Sequence, residues 1–136
     1  MTPAGEANRN WTMRRIKLEP ALQKGGAREG GPLGYEFVAP LDPTGHISVE
    51  GWRKERALCF VHKIEDGAIA ERGVLAHLPG GADGATWAFD YDPTQEGDEE
   101  AGYRFGAHAF RPGEYVSLRE ADGDVRTYRI ASVTPA

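Results

Sequence analysis

The chain has 136 residues, and its 16 Lys and Arg against 21 Asp and Glu leave a net charge of −5. That length suits one domain with a true hydrophobic core, and 40% hydrophobic with 27% charged residues excludes wholesale disorder. A single cysteine, Cys59, excludes an intrachain disulfide framework and any cysteine-rich zinc site. No apolar run reaches the roughly 18 residues of a membrane span, and the first twenty residues hold no apolar signal-like core. The expected location is therefore the cytoplasm.

Residues 1–15 are polar and without apolar period, and read as a flexible N-terminal tail ahead of a single β-rich domain over 16–136. Ile16 to Glu19 alternates apolar and polar, which predicts an edge strand, and Pro20 suits an edge or a strand end. Residues 23–33 are rich in glycine and read as a connector. Strand signals then follow in close order. They cover Tyr35–Val38, Leu58–Ile64, Gly73–Leu78, Thr86–Tyr91, Gly102–Phe105, Glu114–Glu120 and Val125–Val133. Ser48 to Arg56 is the one helical candidate, with Ser48 as its cap and Gly51 as its weak point.

Strands this short with turns between them predict an all-β fold. The expected form is a small, partly open antiparallel barrel, SH3-like or similar, of six to eight strands with at most one short helix. In the last hairpin, a two-residue turn at Asp122-Gly123 would set Val116 against Arg129. A three-residue loop over 122–124 instead pairs Val116 with Ile130, Leu118 with Tyr128 and Glu120 with Arg126. That keeps the apolar side chains on one face, and it is the register expected here.

Several phrases together resemble a family of small, uncharacterised bacterial proteins. They are GYEFVAPLD at Gly34–Asp42, WRKER at Trp52–Arg56, WAFDYDP at Trp87–Pro93, EAGYRFGAHAF at Glu100–Phe110, PGEYVSLRE at Pro112–Glu120 and the closing YRIASV. The resemblance spans Gly34 to Val133 and implies no activity, ligand or catalytic residue. The strand from Pro112 into the Asp122-Gly123 turn is also similar to the closing hairpin of SH3-like barrels.

Three constellations bear on function. Trp87, Phe89, Tyr91, Tyr103, Phe105 and Phe110 are six of the thirteen aromatic residues. They make either a core or an aromatic wall for flat ligands. Asp90 to Glu100 holds six carboxylates in 11 residues, which reads as a solvated loop; counted against a calcium-binding loop, Gln95 and Ala101 stand at the wrong positions. His46, His62, His77 and His108 match no tight zinc spacing, yet His62 and His77 lie on successive strands, and His108 or a carboxylate would complete a three-ligand site.

No residue is nominated as catalytic and no cofactor is expected. The reading is a non-catalytic binding module for an unidentified protein or small ligand. Its surface would join Trp87, Tyr91 and Tyr103 to Tyr115, Arg119 and Arg129. The alternatives are a small metal-dependent protein using His62, His77 and His108, and a single-stranded nucleic-acid binder. Open strand edges would also favour a homodimer.

Overall fold

Period-two burial organises the chain. Ile16 and Leu18, Val116 and Leu118, and Tyr128 and Ile130 are buried, whereas Lys17, Ser117 and Arg129 between them are not. The computed structural model describes residues 10–21, 33–78, 87–91, 100–103, 105–120 and 122–136. Its strands are β1 (Thr12–Pro20), β2 (Gly34–Leu41), β3 (Phe60–Glu65), β4 (Ala68–His77), β5 (Trp87–Asp90), β6 (Glu100–Tyr103), β7 (Tyr115–Arg119) and β8 (Val125–Pro135). Each pairs antiparallel with the next, and β8 returns to β1, so the eight form a closed up-and-down barrel.

The small antiparallel barrel is thus present, with one short α-helix among the described residues, but it closes fully where the sequence suggests a partly open form. Closure falls to β1. Residues 12–15, which read as tail, extend this strand, and it pairs with β2 from Thr12↔Leu41 to Leu18↔Tyr35. On its other side it pairs with β8 from Arg14↔Pro135 to Pro20↔Tyr128. A strand with two neighbours is no edge, so the edge argument for a homodimer lapses.

The final hairpin keeps its apolar face but slips by two residues from the expected register. Val116 lies opposite Tyr128, Leu118 opposite Arg126 and Arg119 opposite Val125. The Glu120 N–H donates to the Asp124 carbonyl at 2.8 Å, and the Gly123 N–H to the Glu120 carbonyl at 2.9 Å. Gly123 sits at φ +89°, the left-handed position that closes such a loop. A slip of two returns each side chain to its own face, so apolar matching alone cannot choose between these registers.

Between β2 and β3 lies helix α1 (Val49–Glu55). Its cap is the expected one, with Ser48 Oγ accepting the Gly51 N–H at 3.0 Å. Gly51 is there for room: a Cβ would come within 2.7 Å of the Trp11 ring and 2.8 Å of Pro40. Gly51→Ala should therefore destabilise the protein by about 1–3 kcal/mol through overpacking, although helix propensity alone favours alanine by about 1 kcal/mol. A rise in the urea midpoint would mean that Trp11 yields freely.

The helix sets the polarity of the barrel. At one end, the helix end, lie α1, Leu41, His77, Trp87 and the start of β7. At the other, the hairpin end, lie Gly34, the Asp66-Gly67 turn, Asp90, Glu100 and the turn into β8. Among the described residues no helix is long and apolar enough to cross a membrane.

Candidate functional site

The barrel interior is occupied by side chains. Phe37 packs on Phe89 at 5.0 Å between ring centroids, and Phe105 packs on Phe110 at 5.3 Å. All four are buried. Trp87, Phe89, Phe105 and Phe110 are therefore core, and Trp87 is no part of an exposed aromatic wall. Space for a ligand lies outside this packed interior, at the two mouths and in a side groove of about 420 Å³ lined by Trp52, Arg56, Val74 and His77.

At the hairpin end the core gives way to a connected polar network. Glu100, at the start of β6, is 1% exposed. It accepts the Tyr35 hydroxyl at 2.9 Å and the Tyr91 hydroxyl at 2.7 Å on Oε1, and Lys63 Nζ at 2.9 Å on Oε2. Lys63 also lies 4.0 Å from Glu120. Glu120 accepts the Tyr128 hydroxyl at 2.6 Å and pairs with Arg126 at 3.1 Å. Above the network is a cavity of about 330 Å³ lined by Tyr35, Lys63, Glu120, Arg126 and Tyr128.

Composition alone predicts a solvated loop over Asp90 to Glu100. The structure corrects this, because Glu100 faces inward and Lys63 reaches it across the barrel. Residues 92–99 of that loop lie outside the described residues.

The network holds its protons firmly. Burial, with the Glu100 charge second, pushes the Tyr35 and Tyr91 phenols well above their ordinary range. Burial and the bond to Glu120 raise Tyr128. For Lys63 burial acts downward, but the hydrogen bond and charge of Glu100 outweigh it and the ammonium titrates above its usual range.

The folded state thus binds these protons more tightly than the unfolded chain, whose phenols and lysines titrate at about 10 to 10.4. Stability from this source is complete below that range and declines as pH rises through it. Of the five tyrosines, Tyr35, Tyr91 and Tyr128 should ionise only together with alkaline unfolding. Tyrosinate absorbance followed alongside circular dichroism checks this. Ionisation of all five ahead of unfolding would contradict it.

At the helix end a larger mouth, about 610 Å³, is lined by Asn10, Trp11, Thr12, Arg14, Leu41, Asp42, Pro43, Gly45, Phe110, Arg111, Pro112 and Val133. Arg14 lies on the inward face of β1, two residues before buried Ile16 and four before buried Leu18. It is half-buried and has no hydrogen bond or ion pair with any described residue. Arg111, on a second segment of the rim, donates to the Thr44 carbonyl at 3.3 Å. Asp42 organises the intervening turn, its Oδ1 accepting the Thr44 N–H at 2.9 Å, the Thr44 hydroxyl at 2.6 Å and the His46 N–H at 3.0 Å.

Of the residues expected to form one binding surface, Tyr115, Arg119 and Arg129 share a face, whereas Trp87 and Tyr91 do not join them. Trp87 is core and Tyr91 turns inward to Glu100. The side chain of Tyr103 lies outside the described residues. Tyr115, Arg119 and Arg129 share the outer face of β7 and β8, where Tyr115 is 53% exposed and Arg129 pairs with Glu19 at 2.6 Å.

The three histidines are also apart. His62 lies on the outer face of β3, opposite Glu36 and Arg72. His77 lies on the other face of the sheet, packed on Trp87 at 4.5 Å and Trp52 at 5.7 Å. His108 follows the short turn Phe105–Ala107. Counting along the hairpin explains the separation: His77 is five residues from Arg72, the partner of His62, and an odd number changes face. Among the described residues no group of three or more His, Cys, Asp or Glu is placed to hold a metal.

Comparison of the chain with protein-family models, with curated proteins and with solved structures gave no match.

Proposed function

We propose that this chain is a non-catalytic, cytoplasmic binding module that holds a small ligand in the helix-end mouth, between Trp11, Arg14 and Phe110. The observation that carries the reading is Arg14. A half-buried guanidinium with no carboxylate partner among the described residues is costly, and such a group facing a mouth of ligand size is accounted for by a ligand that pairs with it. Barrel mouths with mixed apolar and polar linings are common ligand sites.

Proton affinities argue against acid–base work by the polar network or by Cys59. Acid–base catalysis near neutral pH needs groups that titrate there. The phenols and Lys63 of the polar network are all displaced upward, away from neutrality. Burial, with Glu55 second, pushes the Cys59 thiol up to about 12, which leaves it a poor nucleophile. A lone buried thiol also suits a reducing compartment. The metal and nucleic-acid readings have less behind them. The histidines are separated, and Arg126 and Arg129 are engaged by Glu120, Asp122, Asp124 and Glu19.

The test is to map amide chemical shifts while a mixture of small aromatic fragments is added. Shifts clustered at Leu41, Gly45, Phe110 and Val133 support the reading. Shifts confined to the Tyr115 and Arg129 face, or absent throughout, overturn it.

A further inference from the structure

We infer that the helix-end mouth recognises a small organic anion, and that Arg14 and Arg111 hold its carboxylate or phosphate group. This rests on the reading of that mouth as the binding site and adds the chemistry of what enters it.

Alternation in β1 sets the direction of Arg14. Residues 14, 16 and 18 share the inward face, so an arginine stands where the strand otherwise presents Ile16 and Leu18 to the core. Its cross-strand neighbours are Ala39 on β2 and Pro135 on β8, neither of which offers a charge. The other half-buried arginines with assigned partners show the usual arrangement. Arg15 pairs with Glu36 and Arg129 with Glu19. Arg14 has no such carboxylate among the described residues, although the chain as a whole carries a surplus of acids.

Arg111 adds a second guanidinium to the same lining, tethered by the Thr44 carbonyl. Among the described lining residues one acid, Asp42, stands against these two cations, and its Oδ1 is committed to Thr44 and His46. Burial acts to raise the Asp42 carboxyl, but those hydrogen bonds outweigh it and keep the group below the ordinary carboxylate range. It makes no ion pair with either arginine among the described residues. Among the described lining residues, positive side chains therefore outnumber negative ones on an acidic protein, which favours anions locally.

Guanidinium groups match planar carboxylate and tetrahedral phosphate through paired N–H donors. Trp11, Leu41, Phe110 and Val133 supply apolar surface for the body of the ligand. A small anion with an apolar or aromatic body fits both features.

The inference is tested by calorimetric titration of the full chain with four probes of one shape: benzoate, phenyl phosphate, benzamide and benzylamine. Benzoate or phenyl phosphate should bind at least about tenfold tighter than benzamide, and benzylamine should not compete. Which of the two anions is preferred separates a carboxylate ligand from a phosphate ligand. Arg14→Gln and Arg111→Gln should each erase that preference.

Arg14→Leu should abolish anion binding and at the same time raise the melting temperature of the ligand-free protein, since it removes an unpaired half-buried charge. A fall in melting temperature would show that Arg14 serves the fold, and would overturn its assignment. If benzamide or benzylamine binds as tightly as the anions, the oxyanion inference fails while the mouth remains a site. If none of the four binds, both fail.

Discussion

Glu100→Ala is expected to destabilise the protein by about 3–5 kcal/mol, the range for removing one partner of a buried ion pair. Glu100 is 1% exposed and accepts Tyr35, Tyr91 and Lys63, so its loss leaves two buried hydroxyls and an ammonium without their acceptor. Lys63 retains Glu120 at 4.0 Å, which places the loss nearer the lower bound. Glu100→Gln keeps an acceptor for the phenols and should cost less than alanine. Urea denaturation of both variants measures the difference. A loss below about 1 kcal/mol for Glu100→Ala would mean that solvent already screens the network.

The second large effect is expected at Trp87. Trp87→Ala should cost about 3–5 kcal/mol by removing a large core side chain. Trp87 is 2% exposed, meets Trp52 edge-on at 5.7 Å and packs on His77 at 4.5 Å. Thermal and urea unfolding both register this. If stability is unchanged, the indole is no part of the core and an exposed aromatic surface returns to consideration.

These two residues show what was legible from sequence. Trp87, Phe89 and Tyr91 alternate so cleanly that β5 could be read directly, and only its facing remained open. In a closed barrel one face must fill the interior, which decides in favour of core for Trp87 and Phe89. Glu100 was not legible. It ends an acidic run whose composition reads as solvent-exposed, and its partner Lys63 lies 37 positions away inside an apolar strand. Burial of a charge is a tertiary fact, set when β3 and β6 face each other across the barrel.

Arg14 failed to stand out for a related reason. Arg14 and Arg15 are adjacent, and a pair of arginines before a strand reads as a polar tail. Only the burial of Ile16 and Leu18 fixes the phase of β1, sending Arg15 outward to Glu36 and Arg14 toward the mouth. The same strand closes the barrel against β8, a pairing across more than a hundred residues that no local pattern carries. The helix was legible because its cap is local: Ser48 and Gly51 are three residues apart.

The arrangement that results gives the barrel two different ends. The hairpin end is tied by a hydrogen-bonded network whose charges are matched within it. The helix end keeps guanidinium groups in a mouth with apolar walls and, among the described residues, a single acid. The first is suited to holding the fold together, the second to receiving a ligand.

The most direct test of that division is native mass spectrometry of the full chain purified gently at low ionic strength, compared with the Arg14→Leu variant. The account predicts a discrete mass increment of a small molecule above the 14.8 kDa chain, present in the wild type and missing from the variant. A bare chain in both, or an increment that the variant retains equally, would contradict the claim that the Arg14 mouth is where this protein binds its ligand.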